Sequence, residues 1–113
     1  MSERSSERSD PATLTEADFE RALNENPILI VDCWAPWCGP CRALAPLIDD
    51  LARTYHGKVA FGKVNVDDNP RIAQMYGVMS IPTLLFIKNG QLVDRLVGVV
   101  PKKTIEDKIR KML

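Results

Sequence analysis

The stretch CWAPWCGPC, Cys33 to Cys41, holds all three cysteines of the chain. Cys38 and Cys41 frame a Gly-Pro pair. At a helix start, a spacing of three residues brings both sulfurs to one side, close enough to bond. Such a pair can switch between dithiol and disulfide. An apolar, β-branched run precedes it and an amphipathic run follows, so Cys38 falls at a helix N-terminus. There the unpaired backbone N–H groups and the positive end of the helix dipole favour thiolate over thiol. Cys38 is the expected nucleophile, with a pKa below the roughly 8.5 of a free thiol. Pro40 suits a first helical turn because it has no N–H to leave unpaired, and it stiffens the ring. The same spacing is also half of a zinc site. That alternative needs two further ligands, and the chain offers only Cys33 and His56, with no second paired knuckle. A purely structural disulfide is the other alternative, disfavoured where thiols are kept reduced.

Asp32 is the second informative residue. Alternate residues of a strand share a face, so Asp32 joins Ile28, Ile30 and Trp34. A carboxylate in that company is costly unless it has a partner or a task. Desolvation should raise its pKa, which suits it to pass a proton to and from Cys41. The plainer reading is a structural aspartate bonded to water or to a lysine. Cys33, one residue on, points to the opposite face with Leu29 and Val31, across the sheet from either partner. It reads as a small buried apolar residue, with a regulatory thiol as the alternative. In SIPT, Ser80 to Thr83, Pro82 opens a strand, ordinarily the mark of a strand edge.

The elements that must hold these groups follow from the periodicity. A chain of 113 residues with 45% hydrophobic content suffices for one compact domain. Its 15 basic and 15 acidic residues balance, so neither nucleic acid nor an anionic membrane is suggested as a partner. Residues 1–11, rich in Ser, Glu and Arg, read as a disordered tail without the apolar core of a secretory signal, although the repetition would also suit a processed leader. No apolar run is long enough to span a bilayer, so a soluble, cytoplasmic protein is expected.

Thr15 reads as the N-cap of a first helix that ends near Asn24 to Asn26. ILIVDCW, Ile28 to Trp34, is apolar on both faces and reads as a central strand. A helix runs from the cysteines to Tyr55, with a kink expected at Pro46. VAFGKVNV is a second buried strand, and DDNPRIAQMYG a short capped helix. TLLFIK and LVDRLV flank Asn89-Gly90 and should form an antiparallel hairpin. Pro101 to Leu113 supplies the final amphipathic helix. The order implies a mixed sheet with helices on both faces, an α/β architecture in three layers.

VDCWAPWCGPC resembles the active-site segment of thioredoxins. The likeness extends through KVNVDDNP, YGVMSIPTLLFIKNG and LVG, and covers about Leu14 to Leu113. It implies the thioredoxin fold, a domain over 12–113 with a mixed sheet of four or five strands flanked by four helices. It also implies a protein-disulfide reductase, a thiol-disulfide oxidoreductase in which Cys38 attacks a target disulfide and Cys41 resolves the mixed disulfide. Asp32 matches the proton relay and Lys63 the residue that modulates it; otherwise Lys63 reads as an exposed strand lysine. Ile81-Pro82 is implied to be cis and to face the nucleophile, with the neighbouring backbone pairing to an extended substrate. Trp37, Gly39, Pro40, Val66, Ile81, Val97 and Gly98 match the apolar surface that holds partners, and Trp34 the packing tryptophan beneath it.

The resemblance implies no bound cofactor. Electrons come from a thioredoxin reductase, the partners are disulfide-containing proteins, and a monomer is expected. Some positions depart from the family pattern. Cys33 stands for a usual aromatic residue, Pro36 for a commonly polar one and Arg42 for a frequent lysine, and the first strand is curtailed to Ala12 to Leu14. Two alternatives stand beside the reductase. A disulfide oxidase or isomerase prefers an exporting signal and often a His between the cysteines. A non-catalytic interaction module would need neither Asp32 nor both sulfurs.

Overall fold

The structure is a computed structural model that describes residues 10–113. All of the expected N-terminal tail except Asp10 and Pro11 lies outside the described residues. The run ILIVDCW forms β2, Ile28–Trp34, with every residue from Leu29 to Cys33 buried. That burial on both faces is what its unbroken apolar character demanded. β2 lies at the centre of a five-stranded sheet of order β1-β3-β2-β4-β5. β3, Ala60–Asn65, runs parallel to β2 and is flanked by the two-residue β1, Ala12–Thr13, also parallel. β4, Thr83–Lys88, runs antiparallel to β2 on its other side. β5, Gln91–Val97, closes the sheet as the hairpin partner of β4. The curtailed first strand therefore forms and gives the sheet its fifth member.

Four helices cover the sheet: α1, Phe19–Glu25; α2, Gly39–Thr54; α3, Pro70–Met75; and α4, Lys102–Met112. Alternation along the strands divides the core. Ile30, Phe61, Leu84 and Phe86 face α2 and α4, meeting Leu44, Ile48 and Leu51 of the one and Ile105 and Ile109 of the other. Leu29, Val31, Cys33, Val64, Leu85 and Ile87 face the other way, against Phe19 and Ala22 of α1 and Ile72 of α3. Each fully buried aliphatic side chain contributes about 1.5–3 kcal/mol, so both layers are held mainly by apolar burial. The hairpin turn is as the dipeptide predicted. Asn89 and Gly90 both take positive φ, 52° and 81°, the conformation of a tight turn that matches the strand twist.

One helix start differs from the sequence reading, and another is capped from a distance. Thr15 makes capping contacts, since its Oγ1 accepts from Ala17 N–H and its own N–H donates to Asp18 Oδ1 at 2.7 Å. These contacts stabilise a turn over 15–18, and the helix itself begins only at Phe19. At α3 the side chain of Asn69 does not cap the helix it precedes. It instead ties two loops together, accepting from Glu16 N–H and donating to the Asn65 carbonyl. The α3 cap comes from far along the chain, as Arg71 N–H donates to Glu16 Oε2 at 2.8 Å. α2 continues through Pro46, which lies on its exposed side where water can serve the Arg42 carbonyl.

Candidate active site

β2 ends at Trp34, and the chain turns at once into α2. Cys38 N–H donates to the Ala35 carbonyl at 3.1 Å, which closes that turn. Cys38 is the N-cap of α2 and Pro40 lies in its first turn. Cys38 and Cys41 are joined by a disulfide. Cys41 N–H donates to Cys38 Sγ at 3.2 Å, so a free helix-terminal donor points at the first sulfur. That donor and the helix dipole both favour negative charge on Cys38. The pair packs with Ala35 among Trp34, Val66 and Ile81.

Asp32 is 1% exposed, and its Oδ1 has no hydrogen-bond partner among the described residues. Burial pushes its carboxyl up from 3.8 to about 6, with the Lys63 charge opposing the shift and the Asp49 charge reinforcing it. Lys63 is the register partner of Asp32 in the parallel pair β2–β3, so both side chains lie on the α2 side of the sheet. The Lys63 ammonium also sits 5.3 Å from the ring centroid of Trp34, a cation–π contact. On this face Asp32 falls between Ile30, in the α2–α4 core, and Trp34, beside the disulfide.

The third wall comes from the loop before β4. Ile81-Pro82 is a cis peptide, and Cys38 Sγ lies 3.8 Å from the Ile81 carbonyl oxygen. Gly98, at φ 88°, donates its N–H to the Pro82 carbonyl at 2.8 Å; this conformation suits a residue without Cβ. Val97, just before it, is half exposed and pairs with Thr83. Gly39 and Pro40 lie exposed on the first turn of α2, and Trp37 is 68% exposed beside Cys38. Apart from Cys33, the structure gathers the residues singled out around the cysteines at one end of the sheet. Cys33 is fully buried in the α1–α3 core, away from the pair, with its thiol pushed up to about 12 by burial and the Asp32 charge.

Two residues that the sequence did not single out also shape this end. Asp67 Oδ2 accepts from Trp37 Nε1 at 2.9 Å and so steadies the exposed indole. Arg95 of β5 donates to the Tyr76 and Gly77 carbonyls, where α3 leads into the Pro82 loop. Neither lies near the cysteines in sequence. No sequence signal pointed to Arg95, because only the fold brings the exit of α3 beside it.

The Thioredoxin family model matches residues 10–111. The chain belongs to the thioredoxin family. It is similar to thioredoxin 1 of Nostoc sp., at 47% identity over 90% of this chain and 96% of that protein. It is also similar to a chloroplastic M-type thioredoxin of Pisum sativum, at 52% identity over 80% of this chain and 52% of that protein. Among solved structures, a mutant thioredoxin from Halobacterium salinarum superposes with a TM-score of 0.85 at 30% identity, covering 92% of this chain and 91% of that one. The three-layer thioredoxin fold expected from the sequence is thereby borne out. As a thioredoxin, the protein is a thiol-disulfide oxidoreductase that reduces protein disulfides, and its redox-active group is a disulfide. Among the described residues no group of three or more His, Cys, Asp or Glu is placed to hold a metal ion, and no helix is long and apolar enough to cross a membrane.

Proposed function

We propose that Cys38 is the attacking sulfur, Cys41 the resolving one and Asp32 the group that passes a proton to and from Cys41. The observation that carries this reading is the Cys41 N–H aimed at Cys38 Sγ at the N-terminus of α2. It favours the Cys38 thiolate in the reduced protein. That thiolate attacks one sulfur of a target disulfide, whose other sulfur leaves as a thiolate. The Asp32 carboxylate takes the Cys41 proton, and the Cys41 thiolate attacks Cys38 Sγ. The second target sulfur leaves as a thiolate and is protonated, so two electrons pass from the pair to the target. With its carboxyl raised to about 6, Asp32 is ionised at neutral pH and is a stronger base there than an ordinary carboxylate. Lys63 modulates it by opposing the effect of burial.

Targets dock on the apolar rim formed by Trp37, Gly39, Pro40, Val66, Ile81, Pro82, Val97 and Gly98. An extended segment of the target pairs with the backbone beside Ile81. An external thioredoxin reductase restores the dithiol, and the protein works as a monomer in the cytoplasm through a domain over 12–113. The test is a pair of variants. Cys41→Ser should accumulate covalent complexes with a protein disulfide, and Cys38→Ser should form none. The reverse pattern would overturn the assignment of the two sulfurs.

A further inference from the structure

Between Gly77 and Thr83 the chain passes the disulfide without regular structure, yet both of its ends are tied. At the far end, Thr83 Oγ1 donates to the Ser80 carbonyl at 2.6 Å and Gly98 N–H to the Pro82 carbonyl at 2.8 Å. At the near end, Val78 N–H donates to the Ala73 carbonyl, and the Arg95 guanidinium bridges two successive carbonyls. Its Nη2 lies 2.6 Å from Tyr76 O and its Nη1 3.4 Å from Gly77 O. Arg95 pairs in register with Leu85 of β4, on the sheet face that carries α3, so it links a rigid strand to the exit of that helix. Between the ties the N–H groups of Met79, Ser80 and Ile81 have no hydrogen-bond partner among the described residues, and Met79 is 94% exposed. The middle of the loop is thus an open backbone edge, ending at the Ile81 carbonyl beside Cys38 Sγ.

We infer that Arg95 is a positioning residue for target binding, fixing the Met79–Ile81 edge in the place where an extended segment of the target protein pairs with it. A lysine could not do the same, because an ammonium lacks the planar fork that spans two carbonyls. Without the bridge, the loop would have to be ordered at the moment of binding, which weakens docking while leaving the sulfur chemistry as it was. The inference rests on the reading above that targets dock beside Ile81.

The experiment measures KM and kcat for reduction of insulin, and the rate with a small aromatic disulfide that needs no backbone pairing. The variants are Arg95→Met, which keeps the aliphatic stem, Arg95→Lys and Ile81→Ala, each first shown by circular dichroism to be folded at the assay temperature. Arg95→Met is expected to raise KM for insulin about tenfold, the size of one charge-assisted hydrogen bond. Its kcat and its small-disulfide rate should stay within about twofold, and Arg95→Lys should recover only part of the loss. Hydrogen exchange at Met79 to Ile81 should speed up in Arg95→Met. If Ile81→Ala raises KM and Arg95→Met does not, or if Arg95→Met slows both substrates alike, the role of Arg95 is overturned. If Ile81→Ala leaves KM unchanged and hydrogen exchange at Met79 to Ile81 is not slowed in the mixed disulfide of Cys41→Ser with insulin, the docking reading itself is wrong and the inference falls with it.

Discussion

Asp32 should destabilise the protein that uses it, and replacing it with Asn should make the fold stronger at neutral and alkaline pH. Burial moves the carboxyl from 3.8 to about 6. Between those two values the native protein keeps a proton that the unfolded chain has released. Stability therefore falls as pH rises through about 4 to 6 and levels off above about 7. At 1.36 kcal/mol per pH unit, the integrated loss is about 3 kcal/mol. Asn removes the ionisation, but its amide brings N–H donors to a site where Oδ1 already lacks a partner. Allowing about 1–2 kcal/mol for that, the net gain should be about 1–2 kcal/mol at pH 8. Near pH 4, where the native carboxyl is protonated and nearly isosteric with the amide, the gain should vanish or reverse. Urea unfolding of the oxidised forms at intervals from pH 4 to 8 measures the difference directly. A difference that does not change with pH, or a variant less stable than wild type at pH 8, would refute the reasoning. The same variant should resolve mixed disulfides more slowly above neutral pH, since it cannot accept the Cys41 proton.

Two further outcomes follow from the geometry. In the reduced native protein at pH 7, iodoacetamide should label Cys38 and leave Cys33 unlabelled until the protein unfolds, because Cys33 is fully buried and its thiol is held near 12. Comparable labelling rates for the two cysteines would show that the buried thiol has a route to solvent. Glu16→Ala should lower stability by about 1 kcal/mol through loss of the distant cap on Arg71 N–H, while Glu16→Gln, which keeps an acceptor oxygen, should lose less. Equal losses in urea unfolding would mean that the side chain acts through charge and not as a cap.

Much of the fold was legible where one local rule decided the outcome. Ile28 to Trp34 was read with its observed boundaries because a short, β-branched run apolar on both faces fits only a central strand. Asn89-Gly90 fixed the hairpin through the positive φ that it tolerates. The opposite orientations of Asp32 and Cys33 followed from strand alternation alone. What was missed depends on partners distant in sequence. The short helix was read to start near Pro70, as it does, but its cap comes from Glu16, 55 positions before Arg71. Thr15 did supply capping bonds, but to a turn that precedes the helix. Arg95 was not singled out, because the Tyr76 and Gly77 carbonyls it meets lie at the exit of α3, which no period in β5 encodes.

The central claim is that the Cys38–Cys41 pair donates electrons to its targets, and its reduction potential tests that most directly. Equilibrating the protein with defined dithiol and disulfide buffers, and reading the fraction oxidised by thiol labelling, gives the value. A reductase requires a strongly reducing pair, near the about −270 mV characteristic of thioredoxins. A value at or above about −180 mV, in the range of disulfide isomerases and oxidases, would contradict the account.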